Sequence, residues 1–355
     1  QKRRAVLLAL SVLFSTLAAC LAVNLDHSFL EAGKDPSLLG FDSADVRVTR
    51  GGRRFGMRHD TLMSILEQRP DVASVATSDF MEGELLVEGE RARAMIGTLV
   101  AGDMEELGYR NLEGRNPEGG DEVAVAVNTA REYGFAIGDT FPMYLAGQSV
   151  PLEITGIYQT LNNGGTGFRI RLEAMRRANP LHEPTVYGLM LAPGVDRQAF
   201  METLEAEYGE AVDAQEGDYF VRTILMTVVN GMRVSNGFLA LVFLAAASIL
   251  IFNATLMSLA ENRRTFGVLK TVGMTPYQLR ASVAIGVGMV SALGILLGLL
   301  SWMIGAPIGL SFLFTGLGLV SFPLQNNLIG TLILVPIVLG FCLVSAWWPS
   351  RRLLE

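Results

Sequence analysis

The sequence predicts a membrane protein with four transmembrane helices and a large α+β extracytoplasmic domain inserted between the first and second spans. Three observations lead to this fold class. Hydrophobic residues make up 50% of the 355 residues and charged residues only 18%, whereas a soluble protein carries about 25% charge. Four long apolar stretches recur along the chain. The charge is segregated, with a net of −15 over residues 24–227 and +8 over the rest, which excludes a broad basic surface for nucleic acid.

The four apolar stretches are each long enough to cross a bilayer core of about 30 Å, which takes roughly 20 helical residues. We place the first within residues 1–23, the second at the end of residues 218–259, the third at 281–304 and the fourth at 328–349. Residues 305–327 are apolar but rich in Gly and Pro, so we expect an external loop there.

Basic residues beside the spans predict the orientation. Lys and Arg precede the first span, occupy residues 260–280 between the second and third spans, and follow the fourth span at residues 350–355. Cytoplasmic segments are the ones enriched in Lys and Arg. We therefore expect a bacterial inner-membrane protein with both termini in the cytoplasm and residues 24–227 outside.

The amino-terminal segment leaves two alternatives open. Residues 17–20 (LAAC) follow a basic and then an apolar stretch, a pattern typical of a lipoprotein cleavage box ending at Cys20. An uncleaved span is the favoured interpretation, because three later spans already anchor the chain. The chain begins with Gln1 rather than Met, which is compatible with one half of a longer protein.

The external domain, residues 24–217, alternates short strands with short helices. Alternating apolar residues and turn signals predict strands at 45–50, 72–77, 85–87, 91–100, 122–127, 141–145, 150–158 and 186–191, and helices at 60–68, 129–133 and 197–208, with Asp60 capping the first helix. The glycine-rich Asn162–Gly167 lacks the Lys-Ser/Thr of a phosphate loop, so we expect a mobile external loop. The sequence contains no nucleotide-binding, catalytic or metal motif, and we expect no enzymatic activity and no cofactor in this chain.

Residues 218–259 predict a stalk helix that continues into the second span, because apolar residues recur there at helical spacing. Asn253 and Thr255 are polar positions inside this span, and Gly294 and Gly298 form a GxxxG in the third span. Polar and small intramembrane residues are typical of helix contacts. We expect these four positions to pack helices, within the chain or against a second copy.

Residues 260–280 carry the most informative motif, ENRRTFGVLKTVGMTPYQLR from Glu261. Gly273 is placed to end a helix, and Thr275 and Pro276 are placed to begin the next one as N-cap and first residue. The sequence predicts a compact elbow that docks in a groove of a cytoplasmic partner. The alternative is a connecting loop held by anionic lipid.

This elbow resembles the segment that follows the second span in FtsX-like permeases, the type VII or MacB-like ABC transporter subunits. Their pattern is roughly Glu-Arg-Arg-x-Glu-x-x-x-Leu-(Lys/Arg)-x-x-Gly. The matching residues are Arg263, Arg264, Phe266, Gly267, Leu269, Lys270 and Gly273. The chain departs at Thr265, where the family usually has Glu, so an ion pair of that Glu is not expected. The order of spans is similar too, and segments 114–115, 121–124, 134, 138–139 and 154–157 resemble the MacB-like periplasmic core.

The resemblance implies the partners and the mechanism. A separate ABC ATPase dimer, which carries ATP and Mg, would drive two permease units, as a homodimer or a pseudo-dimer with another half. The external domain would then export, extract or expel a substrate, such as a lipoprotein, at the outer face. The residues expected to contact the ATPase are Arg263, Arg264, Phe266, Leu269, Lys270, Gly273 and Pro276.

Two other functions stay open. The chain is alternatively a membrane-anchored regulator whose external domain binds and activates an envelope protein such as a cell-wall hydrolase. A sensor or adhesion protein without an ATPase is the third interpretation.

Overall fold

A computed structural model describes residues 2–51, 57–85 and 93–354, and its contacts divide the chain into two compact units. The helical unit comprises Gln1–Glu31, Met226–Leu310 and Pro323–Glu355. The sheet unit comprises Ala32–Leu225 and Ser311–Phe322. The sheet unit is thus inserted mainly between the first and second long helices, and it also includes a short segment from the carboxyl-terminal part of the chain.

The described residues contain nine α-helices. They are α1 (Lys2–Ala32), α2 (His59–Glu67), α3 (Val127–Tyr133), α4 (Leu172–Ala178), α5 (Arg197–Tyr208), α6 (Tyr219–Glu261), α7 (Arg263–Thr271), α8 (Pro276–Gly316) and α9 (Leu328–Leu354). Four of them, α1, α6, α8 and α9, are long and apolar enough to cross a membrane. The predicted fold class, with four such helices, is confirmed.

The helix α8 corrects the expected loop at residues 305–327. It has 41 residues and continues past Gly305 and Pro307 to Gly316. The stretch is apolar, and in apolar surroundings a lost backbone hydrogen bond costs more than the weak helix propensity of Gly or a single Pro. The helix α1 likewise runs to Ala32, beyond residue 23 where we placed the end of the first span.

Ten strands in the described residues form one mixed sheet. They are β1 (Val46–Arg50), β2 (Val72–Leu85), β3 (Arg93–Ala101), β4 (Glu113–Gly114), β5 (Glu122–Ala126), β6 (Thr140–Leu145), β7 (Gln148–Tyr158), β8 (Phe168–Arg171), β9 (Val186–Leu191) and β10 (Val212–Glu216). Their order is β10-β1-β9-β2-β3-β8-β5-β7-β4, and β6 pairs with β2 and β7. The pairs β3–β8 and β5–β7 are parallel.

Most predicted elements of this domain are present. The predicted helix at 197–208 and strand at 186–191 are observed with those bounds. The expected cap at Asp60 is wrong, because α2 begins one residue earlier with Arg58 as its N-cap. The expected strand at 85–87 and the start of the one at 91–100 fall partly outside the described residues. The strands β4, β8 and β10 and the helix α4 were not predicted.

Among the apolar clusters in the described part of the sheet unit, two pack large parts of the sheet. One lies on the β3–β8–β5–β7 part of the sheet and is centred on fully buried residues such as Leu99, Phe168 and Ile170. The other lies between β1, β9 and β10 and the helices α2 and α5, around Leu62 and Leu204. The two faces of the central strand β8 differ, because Phe168 and Ile170 enter the first core while the residues between and after them are arginines.

Candidate functional site

The elbow between α6 and α8 is built by local cap chemistry. The helix α7 ends at Thr271, and Gly273 follows two residues later. Its φ is 100°, a backbone angle that residues with a side chain rarely adopt. The amide of Met274 donates to the carbonyl of Leu269 at 3.0 Å, which is the six-to-one bond of a Schellman motif. The chain therefore leaves α7 sharply and can start a new helix three residues later.

The start of α8 is fixed by a capping box. The amide of Gln278 donates to Thr275 Oγ1 at 3.3 Å, and the amide of Thr275 donates to Gln278 Oε1 at 2.9 Å. These reciprocal bonds satisfy two amides that a helix start leaves free. Pro276 is the first residue of α8, where the missing N–H of proline costs nothing.

Two of the seven expected contact residues face inward. Phe266 and Leu269 are half-buried and pack against the buried Leu259 and Leu279. They join α7 to the end of α6 and the start of α8. Their position makes them supports of the elbow rather than part of its open surface.

The rest of the surface of α7 is exposed. This holds for Arg263, Arg264 and Lys270. It also holds for two valines that we did not predict as contact residues, Val268 at 61% and Val272 at 77% exposure. Their i, i+4 spacing puts both valines on one side of the helix and could have identified them. Neither valine is part of the motif from which the contact residues were predicted. The elbow thus presents apolar and basic side chains together.

The GxxxG in α8 brings this helix against α1. A Cβ on Gly294 would stand 2.7 Å from the carbonyl oxygen of Ala9, and one on Gly298 would stand 2.7 Å from Thr16 Cβ. Both distances are shorter than any real Cβ contact, so only glycine permits this approach. The two glycines pack two helices of the same chain.

The two polar positions of the second span have different surroundings. Thr255 is buried, with 2% of its surface exposed, and its hydroxyl has no hydrogen-bond partner among the described residues. Asn253 is exposed. The structure therefore does not bring Asn253 and Thr255 into one contact.

The helix α6 joins the last strand of the sheet unit to the elbow. It begins at Tyr219, three residues after the end of β10, and continues without a break for 43 residues to Glu261. At 1.5 Å per residue its length is about 65 Å. This is the continuous helix that the spacing of apolar residues in 218–259 predicts.

The end of α8 and the residues after it pack in the sheet unit, and we call residues 315–321 the clip. Gly318 in the clip and Gly165 in the loop after β7 stand so close that a Cβ on Gly318 would lie 2.3 Å from Gly165 Cα. The amide of Thr160 donates to the carbonyl of Gly318 at 3.2 Å. The predicted loop at 162–167 therefore contacts the clip at Gly165, while Asn163 and Gly164 are exposed; its mobility stays a prediction.

Side chains of the sheet unit fasten the clip on both sides of Gly318. Asn128 Nδ2 donates to the carbonyl of Gly316 at 3.0 Å. Gln159 Oε1 accepts from the amide of Ser321 at 2.9 Å. The backbone of the clip is thus held by amide side chains of the sheet unit. No local sequence pattern predicts these contacts, because the residues are far apart in the chain.

Comparisons with known proteins agree with this architecture. The MacB-like periplasmic core domain matches residues 5–207, and the FtsX-like permease C-terminal domain matches residues 237–355. A search of curated proteins found no significant match.

Several solved structures are similar to the chain over about half its length. The periplasmic region of MacB from Actinobacillus actinomycetemcomitans has 12% identity and a TM-score of 0.40, with 52% of this chain and 94% of that chain covered. The extracellular domain of the ABC-type transporter YknZ from Gram-positive bacteria has 11% identity and a TM-score of 0.36, with 48% and 99% covered. A domain of a putative permease from Porphyromonas gingivalis has 12% identity and a TM-score of 0.34, with 50% and 90% covered.

The domain match at residues 5–207 alone spans more than half of the chain, and the second match covers α8, α9 and the part of α6 from residue 237. The helix order and the inserted mixed sheet fit both. This chain therefore belongs to the MacB/FtsX-like, type VII family of ABC transporter permeases.

Proposed function

We propose that this chain couples ATP binding and hydrolysis on a partner ABC ATPase to movement of its sheet unit at the outer face of a bacterial inner membrane. In this arrangement both termini and the elbow are cytoplasmic, and the sheet unit is extracytoplasmic. Two permease units work with one ATPase dimer. ATP and Mg bind the partner and not this chain.

The observation that carries the proposal is the unbroken helix α6. One end follows the last strand of the sheet unit and the other end enters the elbow. A helix keeps its length under load because its backbone hydrogen bonds are internal, whereas a loop would absorb a displacement. A push on the elbow would therefore be delivered to the sheet unit.

The outward face of α7 is the surface proposed for the ATPase. Its exposed valines, Val268 and Val272, can enter an apolar groove, while Arg263, Arg264 and Lys270 can pair with acidic groups around it. Interfaces commonly combine an apolar centre with a charged rim. The inward residues Phe266 and Leu269 would transmit force into α6 and α8 without touching the partner.

The clip supports the proposal from the other side. The helix α8 starts at the elbow and ends at Gly316, inside the clip. The clip is held by Thr160, Asn128 and Gln159 of the sheet unit. Force entering α8 would therefore reach the sheet unit by a second route, through the hydrogen bonds of the clip.

The test is purification of the full chain in mild detergent from its own cells, identification of any ABC ATPase that co-purifies, and an assay of that ATPase with the chain in detergent or nanodiscs. We expect Val272→Glu to reduce ATPase stimulation about tenfold, because a buried unpaired carboxylate at an interface costs about 1.4 kcal/mol or more. Leu181→Glu is the matched control. It introduces the same carboxylate in place of an apolar side chain that is 89% exposed in the sheet unit, and it should leave stimulation unchanged.

A wild-type chain that inserts normally but neither retains nor stimulates an ABC ATPase would refute the coupling function. Capture of an envelope hydrolase by the sheet unit, with ATPase stimulation intact, would instead select the regulatory role within the same mechanics.

A further inference from the structure

One asparagine of the second long helix is exposed among apolar residues. Asn253 lies in the apolar part of α6, on the surface of the helical unit. The described residues offer its side chain no hydrogen-bond partner. In a bilayer this part of α6 is surrounded by hydrocarbon, where an unsatisfied amide is costly. Lipid satisfies the apolar neighbours of Asn253 but not its amide.

Asn24 in α1 shows what a helical asparagine requires. Its Nδ2 donates to the carbonyl of Cys20, four residues earlier, at 2.9 Å. Its Oδ1 accepts from the amide of Asn327, outside α1, at 2.6 Å. The oxygen takes its donor from another segment because the amides inside a helix are already used by the backbone. Asn253 therefore requires a donor from another helix, and the described part of the chain supplies none.

Asn253 belongs to a row of residues that we call the α6 seam. Neighbouring members are four and then three residues apart in strict alternation, which is the heptad spacing of helices that pack along their length. The members are Ser235, Leu239, Val242, Ala246, Ile249, Asn253, Leu256 and Ala260. All are exposed except Leu256, which is half-buried. The seam thus runs open along about 38 Å of the helix.

The α6 seam faces away from the other helices of the chain. Ile251 and Thr255 lie two residues before and after Asn253, which turns them by about 200° around the helix. Both are buried, and Ile251 belongs with Ala247 to the apolar cluster of the helical unit. The side of α6 that packs within the chain is therefore opposite the seam.

A second copy of this chain provides what the seam lacks. Two copies insert with the same orientation, so their α6 helices are parallel and each seam residue meets its own counterpart across a twofold axis. The asparagine side chain carries both donors and an acceptor, so two Asn253 side chains satisfy each other. The small Ala246 and Ala260 let the backbones approach. An asparagine at one heptad position also fixes the register of the pair.

We propose that two copies of this chain pair along the α6 seam, with Asn253 of each copy hydrogen-bonded to its counterpart. The inference rests on the proposed function, which requires two permease units, and it names the surface by which they meet. Because α6 also joins the sheet unit to the elbow, the seam links the force-transmitting helices of the two copies directly.

Cysteine cross-linking of the full chain in membranes, without added ATPase, tests the position of the seam. Ile249→Cys should give a disulfide-linked dimer under mild oxidation, because a seam residue faces its counterpart. Ala292→Cys, at an exposed position of α8, is the matched control and should give none. Cys20 and Cys342 are buried, so the wild type supplies the background. If Ile249→Cys cross-links no more than Ala292→Cys, the proposal is overturned.

Energy transfer between two fluorescently labelled copies in lipid vesicles tests the contribution of the amide. Asn253→Leu should weaken the pair about fivefold, whereas Asn253→Gln, which keeps the amide, should weaken it less than about twofold. Ala246→Phe should weaken it at least about tenfold by forcing the helices apart, and Ala292→Phe should not weaken it. Association of Asn253→Leu equal to that of the wild type, or equal losses in Asn253→Leu and Asn253→Gln, would overturn the hydrogen-bonded pairing.

The ATPase assay keeps this interface and the proposed function apart. A chain that stimulates an ABC ATPase but does not associate along the α6 seam would refute the interface and retain the coupling function. A chain that cross-links at Ile249→Cys but neither retains nor stimulates an ABC ATPase would refute the coupling function and retain the interface.

Discussion

The clip depends on a glycine, and Gly318→Ala should open it. The new Cβ would stand 2.3 Å from Gly165 Cα and 2.8 Å from the carbonyl oxygen of Thr160. Both neighbours are backbone atoms that cannot rotate away. The segment must therefore move, and the hydrogen bond from Thr160 to Gly318 and the bonds beside it are lost.

The magnitude has two parts. The φ of Gly318 is 85°, where alanine costs about 1 kcal/mol more than glycine. Loss of two hydrogen bonds adds about 2 kcal/mol. The clip should thus open more easily by about 3 kcal/mol, which is roughly a hundredfold in its opening equilibrium.

A matched control separates these parts. Gly147 lies in the turn between β6 and β7 with a φ of 79° and no heavy atom within 4 Å of a Cβ built on it. Gly147→Ala carries the same backbone cost without the collision. It should change hydrogen exchange near its own turn and leave hydrogen exchange in the clip unchanged.

The assay is hydrogen exchange with mass spectrometry on the full chain in nanodiscs. Peptides covering residues 158–167 and 311–322 should exchange about a hundredfold faster in Gly318→Ala, while peptides from β9 keep their protection. If those two peptides exchange in Gly318→Ala as slowly as in Gly147→Ala, the close packing of the clip is refuted.

Three further predictions concern other parts of the chain. Gly298→Val should lower the stability of the helical unit by about 1–3 kcal/mol, measured as the midpoint of thermal unfolding in detergent. A Cβ on Gly305 of the same helix would meet no atom within 4 Å, so Gly305→Val should change the midpoint little. The guanidinium of Arg115 holds the pKa of Glu122 at about 2. Their pairing therefore stabilises the folded chain fully above the ordinary carboxyl pKa, and this stabilisation is lost as the pH falls toward about 2. Glu122→Gln should make the free energy of unfolding less dependent on pH in the acid range, and an unchanged pH dependence would contradict the pairing. Asp79→Ala should cost about 2–4 kcal/mol of stability, because the buried carboxylate accepts from two amides and a hydroxyl at the start of β9, and a variant with native stability would show that water replaces it.

The elements that the sequence predicts well are those with local causes. Long apolar runs identify α1, α6, α8 and α9, because length and hydropathy alone decide whether a segment can cross a bilayer. The elbow is predictable because Gly273, Thr275 and Pro276 act within one turn of themselves. The strands β1, β7 and β9 are predictable because apolar and polar residues alternate along them between two turn signals.

The elements that the sequence does not predict have distant causes. The strand β8 has only four residues, two of them arginines, and Arg169 is buried only because Tyr109 and Tyr158 from other parts of the chain enclose it. The clip joins Gly318 to Gly165, and neither glycine's surroundings reveal the other. The inward direction of Phe266 likewise follows from how α6 and α8 meet.

Within the helical unit, the unbroken helix α6 fixes a rotational phase. Ala247 and Ile251 are buried among the long helices, and Leu259 is buried near the elbow. Inserting one residue between Ile251 and Leu259 would turn Leu259 relative to the other two side chains by about 100° and advance it by about 1.5 Å. Seven added residues would return Leu259 to within about 20° of its present direction, and eleven come similarly close. Chains that keep both sets of contacts should therefore differ in the length of this segment by such steps and not by single residues.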